Sequence, residues 1–198
     1  MQKVVLLVLT DQWADWEAAY AIAGINEDPQ FIVKTIAVDL FPKASIGGMR
    51  TEIDYCVDDY VDFENVALVI LPGGYAWLEN RYDEIAAFIN RAVAFGVPIA
   101  AICGATLFLA QHGFLNDIKH TGDEKDYFLE KLKHEKGYTG KECFVSAQLV
   151  NDNGYITANE TAAIEFAVEI FRLLKIDTDD EIALWHDKFK SGIFRTLD

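Results

Sequence analysis

An α/β sandwich, with a mostly parallel sheet between helices on both faces, is the fold this sequence predicts. Two observations predict it. Apolar runs of strand length alternate with segments of helical spacing along the chain, and neither a repeat nor a low-complexity linker interrupts that alternation. A third observation sets the scale: 198 residues suit one domain over 1–198, long enough to bury roughly 70% of the surface its unfolded form exposes, so no disulfide staple is required.

The first run, Val4 to Leu9, is continuous and β-branched, as expected of a central strand covered on both faces. Trp16, Ala19, Tyr20 and Ala23 then recur at helical spacing, and Gly24 reads as the stop. Phe31 to Val38 reads as a second strand and Ala67 to Leu71 as another, ending in Pro72-Gly73-Gly74. Between them, Ala44 to Asp54 with Gly47-Gly48 at its centre predicts a hairpin. Ile85, Phe88, Ile89, Ala92 and Val93 form the stripe of an amphipathic helix over Tyr82–Phe95, stopped by Gly96.

The stretch from Pro98 to Ala110 begins as a buried strand and continues as an apolar helix, with Cys103 and Gly104 at the join. Residues 120–140 are polar and charged and predict an exposed insertion or helical flap. Asn151-Asp152-Asn153-Gly154 predicts a turn between two short strands. A strong helix from about Thr161 to Leu173 and a further one from Thr178 to Phe189 close the chain.

The formal charge of −15, from 32 acidic against 17 basic residues, repels phosphate backbones and anionic lipid, so no nucleic acid and no membrane is expected as partner. The first apolar run is too short for a signal-peptide core or a membrane span, which places the protein in the cytoplasm. Cys56, Cys103 and Cys143 are an odd number without zinc-type spacing, so neither a disulfide framework nor a metal site is expected. Cys56 lies among carboxylates and Cys143 follows the charged insertion; both read as structural.

In a parallel sheet, ligands bind beyond the carboxyl ends of the strands, and three of these ends carry unusual residues: Thr10-Asp11, Pro72-Gly73-Gly74 and Cys103-Gly104. A residue on a sharp strand-to-helix turn projects above the sheet. A free cysteine is usually a small buried hydrophobe, but the small residues Ala101, Gly104 and Ala105 around Cys103 favour the reactive reading. There the amides and dipole of a helix start lower a thiol pKa. Gly74 and Gly104 are candidate backbone donors to an oxyanion. Glu17 opens the first helix; spacing alone assigns it to dipole complementation.

The order of apolar strand, acid at the first helix, Leu71-Pro72-Gly73-Gly74 loop, Ala101-Ile102-Cys103-Gly104 elbow and late helix with Glu165-Phe166-Ala167 resembles the ThiJ/PfpI family over about Lys3 to Leu174. This is the Parkinson-disease-deglycase-like group of the class I glutamine amidotransferase-like superfamily. The resemblance implies a flavodoxin-like three-layer sandwich and a homodimer, with no cofactor and no metal. It makes Cys103 the reactive cysteine, Glu17 its acid/base, and Gly74 and Gly104 the oxyanion donors.

One departure changes the expected chemistry. Hydrolase-like members carry a histidine shortly after the elbow helix; here, with Thr121 aligned to the motif's threonine, Asp123 fills that slot and His120 is displaced by three positions. His120 and Asp123 are therefore secondary candidates. His112, nine residues beyond Cys103, lies about 13 Å further along the helix. Two anions as close as Cys103 and Glu17 resist coexisting, so Glu17 is expected to titrate high or Cys103 to stay partly thiol.

The expected function is cysteine-dependent attack on a small reactive carbonyl such as methylglyoxal, its adducts, or an amide, covering protease/amidase, glyoxalase and deglycase types. The alternative is a sensor or protective protein in which Cys103 is oxidised without turnover. Trp77, Tyr127 and Phe128 are candidate pocket walls.

Overall fold

A computed structural model of the protein describes residues 2–194. Strand β1 (Lys3–Val8) is an interior strand of a seven-stranded sheet. On one side it pairs in parallel with β2 (Phe31–Ala37), beyond which a two-residue edge strand, β5 (Tyr55–Cys56), adds in parallel. On the other side follow β6 (Val66–Leu71), β7 (Ile99–Ile102) and β9 (Tyr155–Ala158), all parallel, and finally β8 (Leu149–Asp152), antiparallel to β9. The order is β5-β2-β1-β6-β7-β9-β8. Because the chain leaves β1 for β2 on one side and later returns to β6 on the other, the topological switch lies between β1 and β6.

β6 and β7 are apolar throughout, and β1 from Val4 onward, because both faces of these strands are covered. Leu6 and Val8 join one core with α3 (Asp83–Ala94), α4 (Gly104–Gln111) and α5 (Lys125–Leu132). Val5, Leu7 and Leu9 join the other with α1 (Asp15–Glu27), α6 (Ala163–Leu174) and α7 (Asp179–Ser191). This three-layer α/β arrangement is the expected fold. The hairpin is present as β3 (Lys43–Ala44) against β4 (Arg50–Thr51), and the β8–β9 turn uses Asn153 and Gly154, both at positive φ. A single-turn helix, α2 (Ala76–Glu79), follows the Gly73-Gly74 loop.

Two sequence expectations are corrected. Gly24 does not end α1, which runs on to Glu27. It is instead where α1 meets α6, since a Cβ there would sit 2.4 Å from Cζ of Phe171. Segment 120–140 carries a helix, α5, as the helical alternative had it, but it is not the exposed insertion. Phe128 and Leu132 of α5 are buried, and Phe128 packs among His120, Tyr138 and Phe144. The outward face of α5 is charged, which is what gave the segment its polar composition.

Candidate active site

The ends of β1, β6 and β7 are neighbours in the sheet, so the loops that follow them converge. After β7 the chain turns so sharply that Cys103 takes φ 56° and ψ −131°, unusual for a residue with a Cβ, and α4 starts at the next residue. The Cys103 N–H is held by the Ala158 carbonyl at 2.9 Å, and its own carbonyl accepts from Thr106 Oγ1 at 2.7 Å. The elbow at Cys103 is thus pinned from both sides.

The Gly73-Gly74 loop crosses directly over it. A Cβ on Gly73 would lie 2.6 Å from Cβ of Cys103, 2.6 Å from Oε2 of Glu17 and 3.0 Å from Sγ of Cys103. The missing side chain is what allows thiol and carboxyl to share this space. Gly74, at φ +149°, lies against Gln12 and Trp13, and its carbonyl is within 3.1 Å of where a Cβ on Gly104 would be. The Gly104 N–H points at the Cys103 side chain and favours its anion. Among the described residues no backbone acceptor takes the Gly74 N–H.

Glu17 is fully buried in the first turn of α1 and does not serve the helix dipole at the surface. Its Oε2 accepts from the Gly73 N–H at 2.6 Å, while Oε1 has no hydrogen-bond partner in oxygen or nitrogen among the described residues. Burial, ahead of every other cause, pushes its pKa from 4.5 up to about 7, although the Gly73 and Cys103 contacts pull the other way. Asp15, two residues earlier, accepts from Ser45 Oγ and the Gly47 N–H and ties the β3–β4 hairpin to α1.

Asp123 also reaches the sulfur. Sγ of Cys103 donates to its Oδ2 at 3.6 Å, and its Oδ1 accepts from the Glu160 N–H at 3.2 Å. Burial first, and the Glu160 carboxyl second, push Asp123 up to about 7. Glu160 lies just after β9; no motif marked it in the sequence, because only the return of β9 beside β7 brings it to the elbow. Its signal was the Asn159-Glu160-Thr161 turn at a strand's carboxyl end, the place the sheet rule singles out.

These carboxyls reverse the expectation for the thiol. The Cys103 pKa is raised, chiefly by burial and then by the charges of Glu17 and Asp123, which together outweigh the helix start. The second expectation, a high-titrating Glu17 beside a protonated sulfur, describes the site.

His120 is absent from the group. It is fully buried, with Nδ1 against the Ile118 carbonyl and Nε2 against Tyr138 Oη, both at 2.9 Å, and burial keeps it neutral by lowering its pKa. Its displacement in the sequence points it into the aromatic core under α5. His112 bonds through Nε2 to the Arg81 carbonyl at 2.8 Å.

Cys103 and the carboxyls open into a cleft of about 390 Å³, bordered also by Trp16, Ile46, Tyr75, Leu78, Tyr127 and Glu124. Among the described residues no basic side chain borders it. Tyr127 is a wall as expected, whereas Phe128 and Trp77 belong to the core, Trp77 Nε1 donating to the Pro72 carbonyl at 2.8 Å. Cys56 and Cys143 donate to the carbonyls of Val38 and Asn116, away from the cleft. Among the described residues, no cluster of three or more His, Cys, Asp or Glu is arranged to hold a metal ion, and no helix is long and apolar enough to cross a membrane.

The comparisons with known proteins converge on one assignment. The model of the DJ-1/PfpI family matches residues 2–173. The chain is 37% identical over 182 residues to the uncharacterized protease YdeA of Bacillus subtilis, covering 92% of this chain and 88% of that one. It is 34% identical over 191 residues to the uncharacterized protease YoaZ of the same organism, covering 93% and 89%. The crystal structure of a thiJ/pfpI family protein from Bacillus anthracis superposes with a TM-score of 0.86 at 28% identity, over 98% of this chain and 92% of that one. The DJ-1 superfamily protein Atu0886 from Agrobacterium tumefaciens gives 0.86 at 26% identity, over 96% and 99%. With its elbow cysteine, helix-one glutamate and glycine loop in these positions, the chain belongs to the DJ-1/PfpI family.

Proposed function

We propose that the protein is a cysteine enzyme that converts a small uncharged or cationic α-oxo-aldehyde, of the methylglyoxal type, to the corresponding 2-hydroxy acid. The observation that carries this reading is the buried Glu17 carboxyl, titrating near pH 7 and meeting Cys103 through the gap left by Gly73. A group poised at the working pH both takes and returns protons efficiently.

Sγ adds to the aldehyde carbon C1, the thiol proton passes through Glu17 to the new alkoxide, and a hemithioacetal forms. The N–H groups of Gly74 and Gly104 hold the oxygen while it is charged. Glu17, again ionised, removes the proton on C1 and delivers it to the neighbouring carbon C2, so C1 is oxidised and C2 reduced by the same two electrons. Water then cleaves the C1–S bond of the thioester, releasing the acid and restoring the thiol. No external oxidant enters.

A cleft of this size suits a few heavy atoms rather than a polypeptide, and its carboxylate walls disfavour anionic substrates. Amide hydrolysis is less well supported, because no imidazole stands at the thiol to protonate a leaving amine. The raised thiol pKa disfavours a resting thiolate, so Cys103 reacts only as Glu17 takes its proton, which suits addition to a carbonyl held in the cleft and weighs against Cys103 as a freely oxidised sensor. The exposed side chains of Leu40, Phe41 and Met49, on the arm whose Ile46 borders the cleft, support a second copy of the chain as partner there, which light scattering tests.

The reading is tested by following methylglyoxal to lactate by NMR, with Cys103→Ser and Glu17→Gln as controls. Lactate from the wild type and none from either variant is the expected result. Equal conversion by Cys103→Ser overturns it.

A further inference from the structure

The proposed reaction leaves one proton unassigned. Between hemithioacetal and thioester, the C2 oxygen gains a proton and the C1 oxygen loses one, while Glu17 is occupied with the proton that moves between carbons. A second acid–base group facing the substrate oxygens is required.

We infer that Asp123 and Glu160 are that group, a carboxyl pair holding one proton between them and passing it from one substrate oxygen to the other, with Asp123 as the catalytic member and Glu160 as its positioning partner. Three observations support this. Asp123 Oδ2 is 3.6 Å from Sγ of Cys103, where the substrate carbon must bind. Its Oδ1 is fixed by the Glu160 N–H at 3.2 Å, so the carboxyl presents one oxygen to the sulfur and the other to Glu160. Both residues border the cleft and also the adjoining cavity of about 500 Å³ around Thr121 and Gln148, as does Glu124, so the pair stands where the two spaces meet.

The surroundings explain why the pair retains a proton. Asp123 is faced by Cys103 from the elbow, Glu17 from α1 and Glu160 from the turn after β9. Glu124 and Lys125 follow it along the chain, and Tyr127 borders the same cleft. Glu124 is committed to the N-terminus of α5, accepting from the N–H groups of Asp126 and Tyr127 at 3.0 and 2.8 Å, which favours its ionised form. Lys125 Nζ lies over the Phe144 ring at 5.8 Å. Among the described residues no cation is therefore placed to hold Asp123 as a carboxylate, and burial together with the neighbouring Glu160 carboxyl favours its protonated form.

In the catalytic step the pair donates its proton to the C2 oxygen as Glu17 takes the proton from C1, giving an enediol. It then recovers a proton from the C1 hydroxyl as Glu17 protonates C2. One C–H bond breaks and one forms, one O–H bond breaks and one forms, and both carboxyl groups return to their starting state. The pair thus fills the position after the elbow helix where the family resemblance places a histidine.

This inference rests on the reaction proposed above, and its test separates the two. Carboxylic C=O absorption is followed by infrared difference titration from pH 5 to 9 in the wild type, Glu17→Gln, Asp123→Asn and Glu160→Gln, alongside methylglyoxal turnover. The wild type is expected to lose two carboxyl protons near pH 7. Glu17→Gln should retain one of these, and in Glu160→Gln the Asp123 proton should be lost at lower pH than in the wild type, because the Glu160 contribution is gone while burial remains. Turnover should fall about 10²-fold in Asp123→Asn and about tenfold in Glu160→Gln, with Glu160→Asp recovering most of the loss. An Asp123 titration left unmoved by Glu160→Gln, or wild-type turnover in Asp123→Asn, overturns the inference. A wild type that shows the shared proton but makes no lactate overturns the proposed reaction and the pair's part in it, while establishing the pair itself.

Discussion

Replacing Glu17 by Gln tests the electrostatics of the site without any substrate. A carboxyl whose pKa is higher in the folded than in the unfolded chain favours folding only while protonated. Its contribution is full below its unfolded value and is lost as pH rises through its folded one. For Glu17 that window runs from 4.5 to about 7. Ionising it in place, fully buried and beside a sulfur and a second carboxyl, costs about 3 kcal/mol at pH 8 relative to the unfolded chain. In Glu17→Gln the introduced amide oxygen can still accept from the Gly73 N–H, and whatever the amide hydrogens cost is independent of pH. Urea unfolding of both proteins at intervals from pH 4.5 to 8 should therefore show the wild type losing about 3 kcal/mol more than Glu17→Gln across the interval, a difference in midpoint of about 1 M or more. Asp123, raised by burial and by Glu160, adds a loss of the same sign to both proteins. Stability curves that run parallel within about 0.5 kcal/mol would show that Glu17 is an ordinary carboxylate, and the acid/base role given to it would fail.

Gly73→Ala places a methyl 2.6 Å from both Cys103 Cβ and Glu17 Oε2, so it should retain the fold by circular dichroism yet lose about 10²-fold in methylglyoxal turnover; full activity would show that the close approach is unimportant. Cys103→Gly should exceed Cys103→Ala in thermal stability by about 1 kcal/mol, because only glycine takes φ 56°, ψ −131° without strain, and the reverse order would refute the strained elbow. His120→Phe should lower stability by about 2 kcal/mol through its lost bonds to Ile118 and Tyr138, while leaving the pH profile of Cys103 alkylation unchanged; a shifted profile would return His120 to the site.

The layering of the molecule was legible in the sequence because strand and helix periodicities are local properties. Val4 to Leu9 is apolar at every position since both faces of β1 are covered, and Ile85, Phe88, Ile89 and Ala92 mark the buried stripe of α3 without reference to any other segment. The elbow was legible for the same reason: a small-residue strand end running directly into a helix is a local pattern, and the two glycines after β6 mark a close approach. Where the sequence misled, the deciding partner was remote. Gly24 looked like a helix stop because nothing nearby reveals Phe171, and the charges of 120–140 concealed that Phe128 and Leu132 are core. What only the tertiary structure decided is the protonation chemistry. The amides at the start of α4 act on Cys103 from the next residue, but Glu17 and Asp123 reach it from two other segments, and burial with their charges sets the sign of the shift. A pKa sums charge and solvent over space, and neither sum is written in the order of the residues.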